Sequence, residues 1–389
     1  MDKISKEYQE IIHEVKILPV EQLDIERVEK LIRAYIADKN YEKALEVLRV
    51  VEEREKNNPS INSEFGYCLV ELKQFDEAAK YFLKAKNQGR EDAWIYSQLG
   101  WAYRNVEKYK EALEAYLKAQ QLGDKVAWTN AEIGMCYKEL GKYEEALKYY
   151  LIIINSGELD NDIYKKTWVL SEIAYIYQNI DKHEEAIEYF KKVESLGRKD
   201  SWLYANMFNC LKALKNNEEA LKYLERLDEL GEENDVWTNI EFGLCLSRLG
   251  RYEEAIKRIN RALEIEDEEK DTGYIYSQLG FCKRKLEEYD EAIEAFKQAK
   301  KWGRNDAWIN FEIAICYENL DDYEKALEYA LISYELDKDE VNVLSEIGWL
   351  YNYMGKYEDA LPFLLRAQEL GRNDEGINTE IAVSLGRSG

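Results

Sequence analysis

The chain has 389 residues, and its 78 acidic against 54 basic side chains give a net charge of −24 at pH 7. So acidic a composition excludes general nucleic-acid binding and adhesion to anionic membranes, because both need clustered positive charge. Only 3 prolines interrupt the chain and 30 tyrosines are spread along it, which is typical of packed amphipathic helices.

The first predicted element is a charged, amphipathic segment over residues 1–24, which we expect to form one or two capping helices. The segment lacks the apolar core of a signal peptide. No apolar run in the chain approaches the roughly 20 residues needed to span a bilayer. The sequence therefore predicts a cytoplasmic protein without a membrane anchor.

From residue 25 onward the sequence repeats itself. Trp94 and Trp128 stand 34 residues apart in closely related phrases, and one alanine recurs in the second half of every repeat. Each repeat has apolar residues at three- and four-residue spacing, which predicts two amphipathic helices. The recurrent alanines number the repeats over residues 25–374: Ala44, Ala78, Ala112, Ala146, Ala186, Ala220, Ala255, Ala292, Ala326 and Ala360.

This repeat resembles the tetratricopeptide repeat in its Gly-terminated, bacterial-type form. In the repeat that begins at Ala93, the five characteristic positions of the family are occupied by Gly100, Tyr103, Ala112, Tyr116 and Ala119. The resemblance covers about residues 25–389. It implies an all-α fold, a right-handed α-solenoid of about ten helix-turn-helix repeats, with the N-terminal capping segment and a final half repeat at its ends.

The helix ends carry their own signals. A glycine at position thirty-one is predicted to end the second helix in the left-handed conformation, where the family often has proline. An aspartate shortly afterwards, at residue 92, 200, 306 or 374, is predicted to cap the next helix. The glycines are Gly89, Gly123, Gly157, Gly197, Gly231, Gly303 and Gly371.

Chemistry at cysteine is not expected. The six cysteines all occupy position ten of their repeats, so they stand about 10 Å apart by helix-packing distance, whereas a disulfide needs α-carbons within about 7 Å. We predict buried free thiols, no metal site and no cofactor. No nucleophile motif or phosphate-binding loop is present, so no catalytic residue is predicted. The cysteines are Cys68, Cys136, Cys210, Cys245, Cys282 and Cys316.

The last predicted element, residues 375–389, contains only the first helix of an eleventh repeat. Either this lone helix closes the array, or the sequence is part of a longer protein. Self-association through the terminal repeats also stays open.

In proteins that the chain resembles, the first helix of each repeat lines a concave groove, with positions two, five, nine, twelve and thirteen facing inward. Position two carries Trp94, Trp128, Trp168, Trp202, Trp237, Tyr274 and Trp308. Position nine includes Trp101, Tyr175, Asn209, Phe281 and Trp349. Positions twelve and thirteen include Arg104, Lys138, Lys212, Arg248 and Arg284. These residues form the predicted peptide-binding groove.

Two alternatives remain for the tryptophans at position two. They either pack each repeat against the preceding one, or they form a binding strip, since Trp, Tyr and Arg dominate binding hot spots. The basic positions favour an acidic partner. A row of glutamates at position six would weaken that positive field: Glu132, Glu172, Glu241, Glu312 and Glu346.

The sequence therefore favours a non-catalytic scaffold that binds a partner protein or peptide in the groove. Two other functions stay open. One is a regulatory receptor for a short signalling peptide. The other is the recognition part of a larger enzyme or of a toxin–immunity system.

Overall fold

The structure of the protein is a computed structural model, and it describes residue 12 and residues 19–124, 127–231, 235–265 and 271–387. Within these ranges the chain forms 21 α-helices and no β-strand, with a 3-10 turn at Val20–Gln22 ahead of the first helix. The all-α fold predicted from the sequence is confirmed. Most of the predicted capping segment, residues 1–24, lies outside the described residues.

The chain divides into two compact units, residues 1–198 and 199–389. The N-terminal unit contains α1 (Ile25–Ala37), α2 (Tyr41–Glu55), α3 (Pro59–Glu71), α4 (Phe75–Asn87), α5 (Ala93–Asn105), α6 (Tyr109–Gln121), α7 (Ala127–Glu139), α8 (Tyr143–Ser156), α9 (Ile163–Asn179) and α10 (His183–Ser195). The C-terminal unit contains α11 (Ser201–Ala213), α12 (Asn217–Leu230), α13 (Val236–Arg248), α14 (Tyr252–Glu264), α15 (Thr272–Lys285), α16 (Tyr289–Lys301), α17 (Ala307–Asn319), α18 (Tyr323–Leu336), α19 (Val341–Tyr353), α20 (Tyr357–Glu369) and α21 (Glu375–Arg387).

Within each unit, an odd-numbered helix packs most extensively on the even-numbered helix that follows it, and that helix packs on the next odd-numbered one. The odd-numbered helices are the first helices of the repeats. This order of contacts is the repeat architecture that the sequence predicted, in which each pair of helices buries its apolar faces against its neighbours.

The two helices of a repeat approach closely because a glycine on the first faces a large side chain on the second. A Cβ atom at Gly100 would lie 2.8 Å from the Tyr116 ring, and one at Gly280 would lie 2.8 Å from the Phe296 ring. The repeat that begins at Ser201 departs from this pattern, because Phe208 on the first helix and Leu224 on the second are both buried there.

The predicted helix signals are confirmed. All seven predicted glycines have positive φ, between 68° and 107°. Side chains at the next helix start accept a backbone hydrogen bond three residues on, for example Asp92 from the N–H of Ile95 at 2.9 Å and Asp374 from that of Ile377 at 3.0 Å. These caps satisfy amide groups that a helix leaves unpaired at its first turn.

The six cysteines are buried and free, as predicted. Burial raises the pKa of the Cys68, Cys136, Cys210 and Cys316 thiols to about 12. A thiol with so high a pKa holds almost no thiolate at neutral pH and is therefore a poor nucleophile. The cysteines fill core positions as small apolar side chains.

Candidate functional site

The tryptophans at position two pack edge-on against an aromatic ring of the preceding repeat. The described pairs are Phe82–Trp94, Tyr116–Trp128, Tyr150–Trp168, Phe208–Trp237 and Phe296–Trp308, with ring centroids 5.9–6.0 Å apart and interplanar angles of 78–84°. Such T-shaped contacts add about 0.5–1.5 kcal/mol beyond the buried area. One edge of each of these rings therefore joins neighbouring repeats.

The other side of several of these rings is open. Trp94, Trp128 and Trp237 are 38%, 43% and 42% exposed. We call the surface formed by positions two, nine, twelve and thirteen of the odd-numbered helices the first-helix face. The packing interpretation of the tryptophans therefore accounts for one edge of each ring. The exposed area of the rings is available to a partner, and binding of a partner there stays a prediction.

On the first-helix face, the ring at position nine lies beside the tryptophan of the following repeat. The centroid distances are 6.3 Å for Tyr67–Trp94, 5.6 Å for Trp101–Trp128 and 6.3 Å for Phe281–Trp308. We call these pairs aromatic steps. The guanidinium carbon of Arg104 lies 4.3 Å from the centroid of the Trp101 ring. Tyr67 was not among the predicted site residues, although its place at position nine gave the signal.

The predicted cations of this face are mostly engaged by the next repeat. Position twelve of one repeat pairs with position six of the following one, and we call this series the charge ladder. Its cationic steps are Arg104–Glu132, Lys138–Glu172, Lys212–Glu241 and Arg284–Glu312. The row of glutamates therefore neutralises those four cations directly, and little of their charge is left for an acidic partner.

The Arg104–Glu132 step shows how the ladder works. Nε of Arg104 lies 2.8 Å from Oε2 of Glu132, whose side chain is only 7% exposed. The Nε–H is not directed at the carboxylate, so the attraction is electrostatic rather than a well-formed hydrogen bond. Burial raises the pKa of Glu132, while the Arg104 charge and a hydrogen bond from Tyr116 act to lower it. Without Arg104 this carboxylate would be an uncompensated buried charge.

Lys138 repeats the arrangement with a tighter geometry. Its Nζ lies 2.9 Å from Oε2 of Glu172 and 3.5 Å from Oε1 of Glu139, and 5.9 Å from the centroid of the Tyr175 ring. Burial acts to lower the pKa of Lys138, but the charges and hydrogen bonds of the two glutamates raise it overall. The predicted site residues Lys138 and Tyr175 are thus brought together, with the cation already neutralised.

Two cations of the first-helix face differ from these. Arg248 and Lys285 stand at position thirteen and are exposed. Neither makes an ion pair within the described part of the chain, whereas Arg284 beside Lys285 is held by Glu312. Nζ of Lys285 lies 5.5 Å from the centroid of the Phe281 ring.

One ladder step holds two acids. Position twelve of α17 is Glu318, and position six of α19 is Glu346. Burial, the charge of Glu318 and a hydrogen bond with it raise the pKa of Glu346 to about 8. Arg372 acts against this shift, but its Nε lies 2.9 Å from Oδ2 of Asp374. Oε1 of Glu346 is buried and meets no hydrogen-bond donor among the described residues.

The next step of the ladder has a hydrogen-bonding amide in place of a cation. Nδ2 of Asn352 donates to Oε2 of Glu380 at 2.8 Å, and Ser384 donates to Oδ1 of Asn352 at 2.7 Å. The carboxyl pair is thus flanked by the Arg284–Glu312 step before it and by this amide step after it.

Three aromatic rings contact one another along α18 and α19. The Trp349 and Tyr353 rings stack at 5.3 Å, and Tyr323 lies 4.2 Å from Tyr353. Glu346, Trp349 and Tyr353 follow one another at three and four residues along α19 and so share one helix face. We call Glu318, Glu346, Tyr323, Trp349 and Tyr353 the acidic–aromatic patch. Of these only Trp349 was a predicted site residue, because the significance of the others depends on which helices meet.

The remaining predicted site residues also lie on the first-helix face. Trp202, Asn209 and Tyr274 are half-buried on α11 and α15. The guanidinium carbon of Arg304 lies 5.1 Å from the Tyr274 ring and 5.5 Å from that of Trp308. Each is in the helix position that the sequence assigned, and its role in binding stays a prediction.

A surface cavity of about 420 Å³ opens between α12 and α14, with Arg251, Lys257, Arg258 and Arg261 in its lining. Two hydrogen bonds of 2.9 and 2.7 Å join Arg258 to Asp228 across the two helices. The cavity is thus the opening of a salt-bridged seam between second helices. Among the described residues, no three His, Cys, Asp or Glu side chains gather as metal ligands.

Models of the tetratricopeptide repeat match residues 31–97, 95–122, 129–151, 169–200 and 235–301. Together these segments cover more than half of the chain. No curated protein matches it. Among its described residues, no helix has both the length and the apolar character that crossing a bilayer requires.

Several solved structures are similar. The Cut9–Hcn1 hetero-tetramer of the APC/C is 13% identical with a TM-score of 0.45, over 97% of this chain and 92% of that one. A tetratricopeptide repeat protein from Parabacteroides merdae is 17% identical with a TM-score of 0.45, over 67% and 98%. YrrB, described as a repeat protein with an unusual peptide-binding site, is 23% identical with a TM-score of 0.40, over 50% and 97%.

Proposed function

The chain belongs to the tetratricopeptide repeat family, and from that premise we propose that it is a non-catalytic scaffold that binds a partner segment on its first-helix face. The aromatic steps carry this proposal. The Trp101 and Trp128 rings lie 5.6 Å apart, and Trp128 is 43% exposed although its edge is already packed. Large aromatic surface held rigidly and left open to solvent is the usual anchor of a protein interface.

The partner we propose is an extended or helical segment with apolar side chains that cover the aromatic steps. Rigid rings lose little conformational entropy on binding, because the packing against the preceding repeat already orders them. Arg104 adds a guanidinium over Trp101, so the anchor is amphipathic. We therefore expect the affinity to depend mainly on the rings rather than on the ladder cations, which are neutralised within the chain.

Charge selects where acidic residues of the partner would lie. The exposed side chains of Arg248 and Lys285 are cations of the first-helix face without an ion pair among the described residues. Acidic side chains of a partner are therefore best placed at α13 and α15. This narrows the acidic partner expected from the sequence to one part of the C-terminal unit.

The test is capture of partners from a lysate of the source cells with the intact chain and two single variants. Trp101→Ala removes one ring of an aromatic step. Trp302→Ala, the matched control, removes a ring that is 59% exposed at the end of α16, a second helix. We expect one or more proteins to be captured by the wild type and by Trp302→Ala but lost with Trp101→Ala.

Equal capture by both variants would contradict the proposal. Arg104 is left in place in this test, because its removal would leave the buried Glu132 carboxylate without its cation. We expect that change to lower the free energy of unfolding by about 3 kcal/mol. A variant at Arg104 would therefore confuse loss of binding with loss of folding. Circular dichroism of each variant checks that its helix content is that of the wild type.

A further inference from the structure

The charge ladder has a step that the chain itself does not complete. We propose that the acidic–aromatic patch binds a basic segment of a partner, with one arginine or lysine side chain placed between Glu318 and Glu346 and its stem lying on Trp349 and Tyr353. The proposal deepens the proposed function, on which it rests, by naming a partner class for one part of the first-helix face.

The Glu318–Glu346 step differs in charge from the cationic steps of the ladder. At the cationic steps of the ladder the buried glutamate meets an Arg or Lys of the same chain, as Glu312 meets Arg284. At Glu346 the corresponding residue is another glutamate, and two adjacent carboxylates cannot both ionise without repulsion. A cation supplied by the partner would neutralise this carboxyl pair, as cations of the chain neutralise the glutamates of the cationic steps.

The arginines of the adjoining repeats are already paired. Arg284 is bound to Glu312 and Arg372 to Asp374. The turn between α17 and α18 adds more acid. Asp321 accepts a hydrogen bond from the Tyr323 hydroxyl at 2.6 Å, while Asp322 is paired with Lys325 at 2.6 Å. The groups around the carboxyl pair are therefore predominantly acidic or already neutralised.

The aromatic rings of the patch suit the stem of a long basic side chain. Tyr353 is 58% exposed, and its ring meets both Trp349 and Tyr323. Trp and Tyr faces attract cations through their ring quadrupole and also cover the methylene stem of a long basic side chain. The Glu346 atom Oε1, buried without a donor, is an acceptor that a bound guanidinium or ammonium would satisfy.

A metal ion fits the patch less well than a basic side chain. Calcium takes six to eight oxygen ligands, and magnesium demands near-octahedral geometry. The patch offers two carboxyl groups, and no set of three metal-binding side chains occurs among the described residues. An arginine has five N–H donors in a planar fork, so it can bond both carboxylates at once.

Binding should be linked to a proton. Because the pKa of Glu346 is raised to about 8, the pair retains a proton at pH 7. A cation placed between the carboxylates favours their ionised form, so the proton is released on binding. Affinity for a basic ligand should therefore rise between pH 6 and pH 9.

The experiment uses the full chain labelled with 5-fluorotryptophan, with the Trp349 signal assigned from Trp349→Phe. The probe is tri-arginine amide, and tri-glutamate is the opposite-charge control. We expect tri-arginine to shift the Trp349 signal saturably and tri-glutamate to leave it unchanged. Calorimetry at pH 7 in buffers of different ionisation enthalpy should show release of close to one proton per bound probe.

Two variants with the same change of net charge separate the patch from general attraction to an acidic protein. Glu318→Lys fills the vacant step, and we expect it to lower the affinity for tri-arginine by about tenfold or more. Glu328→Lys changes an exposed residue on α18 and should lower it no more than about twofold.

Equal losses in the two variants, a Trp349 signal that does not respond, or binding without proton release would each overturn the proposal. Unfolding is not expected to obscure the result, because Glu318→Lys relieves repulsion in the folded chain. Failure here is distinguishable from failure of the proposed function, since Trp101→Ala tests partner capture at a different step in the N-terminal unit.

Discussion

The Arg104–Glu132 step and the Glu318–Glu346 step occupy the same two repeat positions in different units of the molecule. In the N-terminal unit the position-six glutamate is buried against an arginine 2.8 Å away. In the C-terminal unit the corresponding glutamate is half-buried, and burial together with a second glutamate raises its pKa to about 8. The first step is an ion pair within the chain, whereas the second step holds two carboxyl groups and no cation.

This difference shows that the position of a residue in the repeat does not by itself determine its role. Position twelve holds a structural cation in α5 and an acid in α17, although both helices have the same length of 13 residues and the same packing partners in their repeats. Where the ladder is complete, its residues stabilise the joint between repeats. Where it is incomplete, the same geometry is available to a ligand.

The largest effect is expected from breaking the complete step. Arg104→Ala leaves Glu132 buried and unpaired, so we expect a loss of about 3 kcal/mol in the stability of the surrounding repeats. Urea unfolding followed by circular dichroism measures it. The double variant Arg104→Ala, Glu132→Gln should recover most of the loss, and a double variant as unstable as the single one would contradict the charge explanation.

Completing the incomplete step should raise the stability of the folded chain. Glu318→Lys replaces a like-charge contact by an ion pair, and we expect a gain of about 1–2 kcal/mol at pH 8. Thermal unfolding at pH 8 provides the measurement, with Glu328→Lys as a control for the change in net charge. A melting temperature that rises equally in both variants would show that the gain comes from the overall charge of −24.

The two steps should also differ in how their stability depends on pH. The pKa of Glu346 is raised from its ordinary 4.5 to about 8, so the folded chain binds this proton more tightly than the unfolded chain. This contribution to stability is fully present below pH 4.5 and is lost as the pH rises through about 8. We expect the loss to be on the order of 2 kcal/mol.

Glu346→Gln should remove that part of the pH dependence, because the amide keeps the shape of the protonated carboxyl and does not titrate. The check is a series of urea unfolding curves between pH 5 and pH 9 for the wild type and the variant. Parallel curves for the two proteins would exclude the carboxyl pair as the titrating group.

The smallest effect on stability is expected at position thirteen. Lys285 is exposed and has no ion pair among the described residues, unlike its neighbour Arg284, so Lys285→Ala should change stability by less than about 0.5 kcal/mol. The same variant should weaken binding of a tri-glutamate probe to the C-terminal unit. Unchanged tri-glutamate binding would argue against acidic partner residues at α15.

Much of the fold was predictable from local signals. Gly123 at positive φ and Asp92 as a helix cap each depend on chemistry within a few residues, so the sequence alone located them. The burial of Cys136 was also predictable, because its position repeats in register with other apolar residues. These features hold whichever way the repeats are arranged in space.

The sequence identified residues of the candidate site but not how their charges are paired. Arg104 and Lys138 read as a basic groove, yet each is neutralised by a glutamate of the next repeat. Neither Glu318 nor Tyr353 was among the predicted site residues. The boundaries of the predicted repeats, the absence of catalysis and the cytoplasmic location stay predictions.

Local sequence establishes which residues form helices, where each helix ends and which positions are buried, because helix periodicity, glycine conformation and capping act over a few residues. Which charges meet depends on tertiary packing, since a ladder contact joins residues about 28 to 34 positions apart on two different first helices. An ion pair or a carboxyl pair forms only once packing has fixed the distance between those helices. The same repeat motif therefore leads to a neutral joint at Glu132 and to an unbalanced one at Glu346.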